Sequence, residues 1–328
     1  EFLVEPAVEA AGIAAEEGRA LLEGELAGHV RCIGSHEVAP TVTLQRCKFV
    51  HAVLRDYVAN ALSPLERSHL HLATAEALQR AVEPHDHDLS EAIARQLERG
   101  GDLSRAARAW LVAGDRAMLR SDPRHAQAIF RHIRELELSE VAPELHVQAQ
   151  VGIGNSHRAL GRPGEARQAL QRARREASRW QLHTIDANAL MSLGVVDFDA
   201  GRMVTGAARF AQAITAYTHA GDLVEASRAN GNLSLTLHGM GRYDEARERA
   251  LEGISLAEQT GNVATLATGE IALANCWLDL GYYERAIGLY EAGLVRNDAH
   301  GLTHHGTICL LNLVLCFVEI GSSDAAEE

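Results

Sequence analysis

Glycine recurs every 40 residues along the second half of this chain. One series comprises Gly161, Gly201, Gly241, Gly281 and Gly321. A second series lies half a period out of phase and comprises Gly101, Gly221, Gly261 and Gly301. A fixed period of roughly 20–50 residues indicates a solenoid of stacked repeats. Solenoids present extended binding surfaces, so the spacing favours a binding role over a catalytic one.

The residues between the glycines repeat with the same register. Eight residues before the glycine stand Ala113, Ile153, Leu193, Leu233, Leu273 and Leu313. Seven before it stand Gly114, Gly154, Gly194, Ser234, Ala274 and Val314, and five after it stand Ala126, Ala166, Gly206, Ala246, Ala286 and Ala326. A large residue beside a small one lets a second helix cross the first closely, and glycine ends a helix cheaply in the left-handed conformation. Each period is therefore predicted to hold two helices, with first helices at 104–120, 143–160, 184–200, 223–240, 263–280 and 303–320, and second helices at 123–137, 164–179, 203–219, 244–259 and 284–298.

This pattern resembles the tetratricopeptide repeat, although the period exceeds the roughly 34 residues usual for that family. The resemblance covers residues 103–328, including a last repeat that the sequence cuts short. It implies an all-α superhelix of α-α pairs in which the first helices line a concave groove. The family's register then places eight side chains in the groove, and these form the predicted binding site: Asn155, Arg158, Asn188, Met191, Phe198, Arg228, His238 and Asn275. Asp199 and Asp279 occupy the adjoining slot, and burial of these slots between adjacent repeats is the alternative to a ligand groove.

The first hundred residues do not follow the repeat. Residues 5–24 read as helical, Cys32-Ile33 and Val42–Leu44 as short strands, and residues 48–51 as the lead into a helix that ends at about Leu62. This order of helix, helix, β-wing and helix predicts a small winged-helix-like α+β module over 1–62. Residues 63–102 are predicted to form a connecting helical hairpin. The stretch Phe49–Tyr57, with Leu62-Ser63-Pro64 after it, resembles the junction between nucleotide-binding domain and repeats in bacterial STAND-class signalling ATPases. The large ATP-binding LuxR-type and AfsR-like transcriptional regulators belong to that class.

Charge and composition restrict the partners. The formal net charge is −13 and Lys48 is the one lysine, so nucleic-acid binding, which depends on a basic face, is not expected. No apolar run reaches the roughly 18 residues of a membrane span. Five cysteines without a CxxC pair favour reduced thiols and a cytoplasmic location. The repeat places Cys276 and Cys316 in one slot, which predicts buried thiols.

Motifs for catalysis or cofactor binding are missing from the sequence. No G-x-x-x-x-G-K-[ST] loop occurs, and Gly152-Ile153-Gly154 lies in a packing column rather than in a dinucleotide fingerprint. The loop His85–Asp88 offers two histidines and two aspartates that could hold Zn²⁺ or Ni²⁺, but Asp88 also suits a helix N-cap, so no metal and no cofactor are expected.

These observations and the resemblance together imply the non-catalytic sensor and interaction region of a bacterial ATP-dependent transcriptional regulator. Its expected partners are a protein, peptide or small-molecule inducer in the groove and an upstream nucleotide-binding domain of the same chain. Two alternatives remain. The region could belong to an ATPase-linked nucleotide cyclase or protein kinase, or it could be a simple scaffold adaptor.

Overall fold

The computed structural model describes residues 2–39, 42–82 and 89–321. By its internal contacts the chain divides into two compact units, Glu1–Ser156 and His157–Glu328. The first unit contains a small sheet and the early helices, and the second contains helix pairs alone within its described residues.

A three-stranded antiparallel sheet with three helices forms the N-terminal part. Its elements are β1 (Phe2–Leu3), α1 (Val4–Ala10), α2 (Ala15–Glu23), β2 (Val30–Ala39), β3 (Val42–Phe49) and α3 (Ala52–Ala61). The strand order is β1-β3-β2, so β3 is central and β2 is an edge strand. Val4, Val30 and Cys47 form its buried core.

The structure confirms a small sheet with helices at the N-terminus, and its elements differ in detail from those predicted. Residues 5–24 form the two helices α1 and α2, because the chain turns at Gly12, where φ is +69°. Both hairpin strands are longer than predicted, and β1 was missed because a two-residue strand leaves no periodic signal. Two helices follow, α4 (Pro64–Val82) and α5 (Ser90–Arg99), where a hairpin was expected, and they contact each other. The domain boundaries at 62 and 102 remain predictions.

The repeats form helices of nearly constant length. In chain order, first and second helices alternate: α6 (Leu103–Leu119), α7 (Pro123–Glu135), α8 (Pro143–Ala159), α9 (Pro163–Arg179), α10 (His183–Asp199), α11 (Met203–Ala220), α12 (Leu223–Gly239), α13 (Tyr243–Thr260), α14 (Val263–Asp279), α15 (Tyr283–Ala299) and α16 (Thr303–Glu319). Every boundary lies within two residues of its predicted position. The all-α repeat prediction is therefore confirmed for this part of the chain.

The turns keep their geometry even where glycine is absent. Gly201 has φ +71°, and Ser121 and Gln181, which fill gaps in the two glycine series, have φ +60° and +55°. Side-chain caps start some of the following helices: Asp222 accepts the Glu225 N–H at 3.1 Å and Asn262 accepts the Thr265 N–H at 3.0 Å. The backbone turn is thus set by the repeat as a whole, with glycine as its least strained occupant.

The repeat columns form the core. The large residues Leu193, Leu233, Leu273 and Leu313 are at most 8% exposed, and the alanines five residues after the glycine are fully buried where described, at Ala126, Ala166, Ala246 and Ala286. Cys276 and Cys316 are also fully buried, as their shared slot predicted. In the second unit, each of α11, α13 and α15 contacts the first helices on both sides of it, and α12 contacts α10 and α14. The first helices of this unit therefore form one layer and the second helices another.

Candidate functional site

The predicted site residues of the second unit lie on the first-helix layer. We call the surface formed by the half-buried and exposed side chains of α10, α12 and α14 the first-helix face; it includes Asn188, Phe198, Arg228, His238 and Asn275. Met191 does not belong to it, because its side chain is 5% exposed and packs in the core with Leu190 and Phe210. Asn155 is half-buried on α8 and belongs to the first unit.

Asn188 on α10 is oriented by a buried tyrosine. The Tyr217 hydroxyl donates to Asn188 Oδ1 at 2.7 Å, and Tyr217, on the second helix α11, is fully buried. Burial raises the pKa of Tyr217 well above its ordinary range, so the hydroxyl remains a donor. Because the amide oxygen accepts this bond, the Asn188 NH₂ is assigned as the group that remains available to donate.

Asn275 on α14 is held in the same way. Its Oδ1 accepts the Tyr290 hydroxyl at 2.5 Å and the Asn312 Nδ2 at 2.9 Å. Tyr290 is fully buried, and burial raises its pKa. Asn312 lies on the neighbouring first helix α16 and was missed by the family register. The available signal is its column nine residues before the glycine, where Val112 is the one large apolar residue and the other repeats carry Gly152, Ser192, Asn232 and Ala272.

A basic side chain and an aspartate meet twice across neighbouring first helices. His238 Nε2 lies 2.9 Å from Asp279 Oδ2, and Arg158 Nη1 lies 3.1 Å from Asp199 Oδ2. The two residues of each pair are 41 positions apart in sequence, so both pairs occupy the same two positions of consecutive repeats. These contacts fix charged groups at one edge of the face, with both aspartates exposed.

Phe198 and Arg228 are the more accessible predicted residues. Phe198 is 36% exposed although it is a large apolar side chain. Arg228 forms an ion pair with Glu225 one helical turn earlier, and such exposed pairs contribute little stability. Both side chains can therefore contact a partner without first breaking the core.

A buried carboxylate between α9, α10 and α11 was not predicted. Asp197 is 1% exposed and receives three arginines: Arg167 at 3.1 Å, Arg202 at 2.9 Å, and Arg209. Its column, four residues before the glycine, carries Ala117, His157, Leu237, Trp277 and Phe317 in the other repeats. An acidic residue in this otherwise uncharged or weakly basic column was the signal available.

A cavity in the second unit lies away from the predicted site. It has a volume of about 640 Å³ and is lined by the start of α10 and the end of α11, including His183, Thr184 and His219. Phe198 lies at the opposite end of α10. The lining is mostly apolar carbon with few polar groups, so it offers little to orient a ligand.

The described ranges 2–39, 42–82 and 89–321 contain no cluster of three or more His, Cys, Asp or Glu side chains arranged to hold a metal ion. The candidate loop His85–Asp88 lies outside the described residues. None of the described helices combines the length and apolarity needed to traverse a bilayer.

The chain is similar in fold to helical-repeat proteins of known structure, at low sequence identity. A STAND protein with a tetratricopeptide repeat sensor from Pyrococcus horikoshii matches 83% of this chain at 10% identity, with a TM-score of 0.58, and the chain spans only 44% of that protein's length. Aspartyl phosphate phosphatase F from Bacillus subtilis matches 84% of the chain and 71% of its own length at 13% identity, with a TM-score of 0.60. A Rap protein complexed with competence and sporulation factor matches 81% of the chain and 79% of its own at 13% identity and a TM-score of 0.50. Scans of protein-family models and of curated proteins found no match. These similarities define the fold as a tetratricopeptide-type helical repeat.

Proposed function

We propose that this chain is a non-catalytic sensor and protein-interaction array that binds a peptide, or an extended segment of a partner protein, on the first-helix face. The observation that carries the proposal is the pair of amides, Asn188 and Asn275, each held by the hydroxyl of a buried tyrosine. A side chain fixed before binding loses less entropy when a ligand arrives, so an oriented amide is a better recognition group than a free one.

The chemistry of the face suits a peptide backbone. Fixed amide NH₂ groups can donate to peptide carbonyls, and the exposed ring of Phe198 can contact an apolar side chain. Arg228 and the carboxylates of Asp199 and Asp279 supply charges of both signs at the edges. A small-molecule inducer with amide or carboxylate groups would use the same donors and is the second form of ligand that we propose.

The similar structures support this choice. The Rap protein was crystallised with competence and sporulation factor bound, and the Pyrococcus protein is described as having a tetratricopeptide repeat sensor. Both have the fold found here, and a repeat array offers an extended surface rather than a catalytic cleft.

We further propose that the array belongs to a cytoplasmic STAND-class transcriptional regulator in which ligand binding shifts an upstream nucleotide-binding domain between two states. The N-terminal sheet supports this, because two helices followed by a β-hairpin, with β1 paired to the second hairpin strand, is the arrangement expected of a winged-helix module. The test is the gene: a nucleotide-binding loop encoded upstream of Glu1 is expected, and its absence contradicts the proposal. A cyclase or kinase domain in the same gene would instead favour the enzyme alternative.

Peptide binding can be tested by selecting binders from a library of short random peptides and measuring their affinity by fluorescence anisotropy. Arg228→Ala is expected to weaken a selected peptide by about tenfold, or ~1.4 kcal/mol. The matched control is Arg249→Ala, because Arg249 forms the same kind of pair, with Glu252 three residues away, on the second helix α13. Equal loss in both variants, or selected peptides that bind independently of Arg228, Phe198 and Asn275, would contradict the proposed face.

A further inference from the structure

Two cysteines oppose each other across the N-terminal hairpin. Cys32 on β2 and Cys47 on β3 are directly paired in the strand register, and their thiol sulfurs lie 2.6 Å apart. The pairs Val30↔Phe49 and Arg31↔Lys48 lead directly into Cys32↔Cys47. The two sulfurs are therefore brought together by backbone pairing, and not by chance orientation of mobile side chains.

The backbone geometry already fits a disulfide. Opposed residues in antiparallel strands have Cα atoms about 4.5–5.5 Å apart, and disulfides join Cα atoms at roughly 4.4–6.8 Å. Bond formation needs a sulfur to move by less than an ångström, with no shift of strand register. This pair could not be predicted from the sequence, because the 14 residues between Cys32 and Cys47 match no compact cysteine motif.

The two thiols have different environments, because one strand is at the edge of the sheet and the other is central. Cys32 is exposed, whereas Cys47 is fully buried against Val4 and Val30. Burial, then the hydrogen bond with Cys32, raises the pKa of the Cys47 thiol to about 12. A small oxidant can therefore reach Cys32 first, while the neighbouring Cys47 thiol stays protonated.

We propose that Cys32 and Cys47 form a reversible disulfide, a modification site that closes when the protein meets a low-molecular-weight disulfide such as oxidised glutathione. The Cys32 thiolate attacks one glutathione sulfur, the glutathione S–S bond breaks, and one glutathione thiol leaves. Cys47 then gives up its proton and attacks the Cys32 sulfur of the mixed disulfide, which releases the second glutathione. Both cysteines are oxidised, one glutathione disulfide is reduced to two thiols, and the two cysteine protons end on those thiols.

The other cysteines do not share this arrangement. Cys276, Cys309 and Cys316 are at most 1% exposed, so each is protected from a dissolved oxidant while the second unit is folded. The bond would tie the edge strand β2 to the central strand β3. Because β1 pairs with β3 at Cys47 itself, the whole sheet is linked to the state of this pair.

The test is to incubate the folded chain with oxidised glutathione, quench with acid, and count free thiols after denaturation. The five thiols of the reduced chain are expected to fall to three, with the mass of the intact protein lower by two hydrogen atoms. Peptide mapping is expected to find Cys32 linked to Cys47, and dithiothreitol to restore all thiols. Backbone amides of residues 42–49 are expected to exchange with deuterium more slowly in the oxidised protein.

Variants separate this from general oxidation. Cys32→Ser, at an exposed edge position, is expected to abolish the loss of thiols, whereas Cys276→Ser is expected to leave the Cys32–Cys47 link intact. If the buried substitution Cys47→Ser prevents folding, peptide mapping of the oxidised wild-type protein still shows whether Cys32 and Cys47 are linked. A stable glutathione adduct on Cys32 with no cross-link, or a link that involves Cys276, Cys309 or Cys316, overturns the proposal.

Discussion

At the residue scale, Asp197 has more charged partners than any site residue predicted from the sequence. Three guanidinium groups, from Arg167, Arg202 and Arg209, surround one carboxylate that is 1% exposed. The arginine side chains are between 20% and 44% exposed, so water still reaches them. The buried carboxylate has the arginine N–H groups as its charged partners. Removal of the carboxylate leaves three like charges facing one another, which is the costly way to break a buried ion pair.

We therefore expect Asp197→Asn to destabilise the second unit by about 3–5 kcal/mol. The measurement is urea unfolding followed by circular dichroism. The control is Asp186→Asn, because Asp186 also accepts two bonds from one arginine, Arg174, but is partly exposed; such a surface pair is worth about 0–1 kcal/mol. Similar losses in the two variants would show that burial of Asp197 has no special energetic weight.

Gly194, which lies seven residues before the turn at Gly201, makes a second residue-scale prediction. A Cβ added at Gly194 would lie 2.6 Å from Cε1 of Phe210, which is itself 1% exposed and cannot move aside. Gly194→Ala is expected to cost about 1–3 kcal/mol by overpacking, although alanine is the better helix former.

The matched control is Gly288→Ala, within α15, where an added Cβ meets nothing within 4 Å. There alanine is expected to stabilise by about 0.5–1 kcal/mol, through helix propensity alone. Thermal unfolding of both variants measures the effects. The two substitutions should have opposite signs, and a stabilising Gly194→Ala would contradict the packing described here.

The same residues show how far sequence reasoning reached. Leu193, Ala246 and Cys276 were predictable because helix crossing demands the same size at the same slot in every repeat. Asp197 and the Tyr217–Asn188 bond were not, because neither recurs at the same repeat positions. The similar Tyr290–Asn275 bond uses different positions, and periodicity cannot signal a feature that does not recur in register. Met191 shows the limit of register alone, because this side chain, like Val151 and Ile271 in the same slot, is buried in the structure.

At the element scale, the packing of α14 against α16 includes a titratable group. His305 Nε2 lies 3.2 Å from the Thr268 hydroxyl across the two helices. Burial first, and then the neighbouring His304, lowers the pKa of His305 below its ordinary value of 6.5. The folded state therefore disfavours the charged imidazole that the unfolded chain accepts readily.

The sign of the pH effect follows from this difference. As the pH falls through 6.5, the unfolded chain binds its proton before the folded one, so the free energy of unfolding decreases. The loss is complete once the pH is below the lowered pKa of the folded state. We expect the melting temperature of the wild type to fall between about pH 7 and 5 by more than that of His305→Gln, which cannot titrate. Parallel pH profiles for the two proteins would exclude His305 as the source.

At the scale of the whole molecule, the structure of the second unit could be predicted from the sequence more completely than that of the N-terminal sheet. In the second unit a period of 40 residues repeats several times, so each helix boundary is supported by independent copies of the same signal. The N-terminal sheet has one copy of each element, and its pairing of β1 with β3 joins residues about 45 positions apart. Such a non-local pairing leaves no local pattern, which is why β1 and the full strand lengths were missed.

A stack of repeats is stabilised by interactions between neighbouring repeats. The number of helices that a substitution destabilises should therefore depend on its position in the stack. Leu233 on α12 and Leu313 on α16 occupy the same column and are 7% and 8% exposed. Truncation of either to alanine is expected to cost about 2–5 kcal/mol. The same chemical change is thus made once in the middle of the described helices of the second unit and once in the last of them.

The outcomes are expected to differ in extent, because α12 contacts helices on both sides, whereas the contacts described for α16 are with α14 and α15. Hydrogen exchange measured by mass spectrometry should show Leu313→Ala raising exchange in α14 to α16 alone. Leu233→Ala should raise it from α10 to α14, because loss of α12 removes a partner from both neighbours. Uniformly faster hydrogen exchange across residues 163–319 in both variants would show instead that the second unit unfolds as one cooperative block. In that case, ordering of Asn188 by a ligand would also affect Asn275, although the two residues are not in contact.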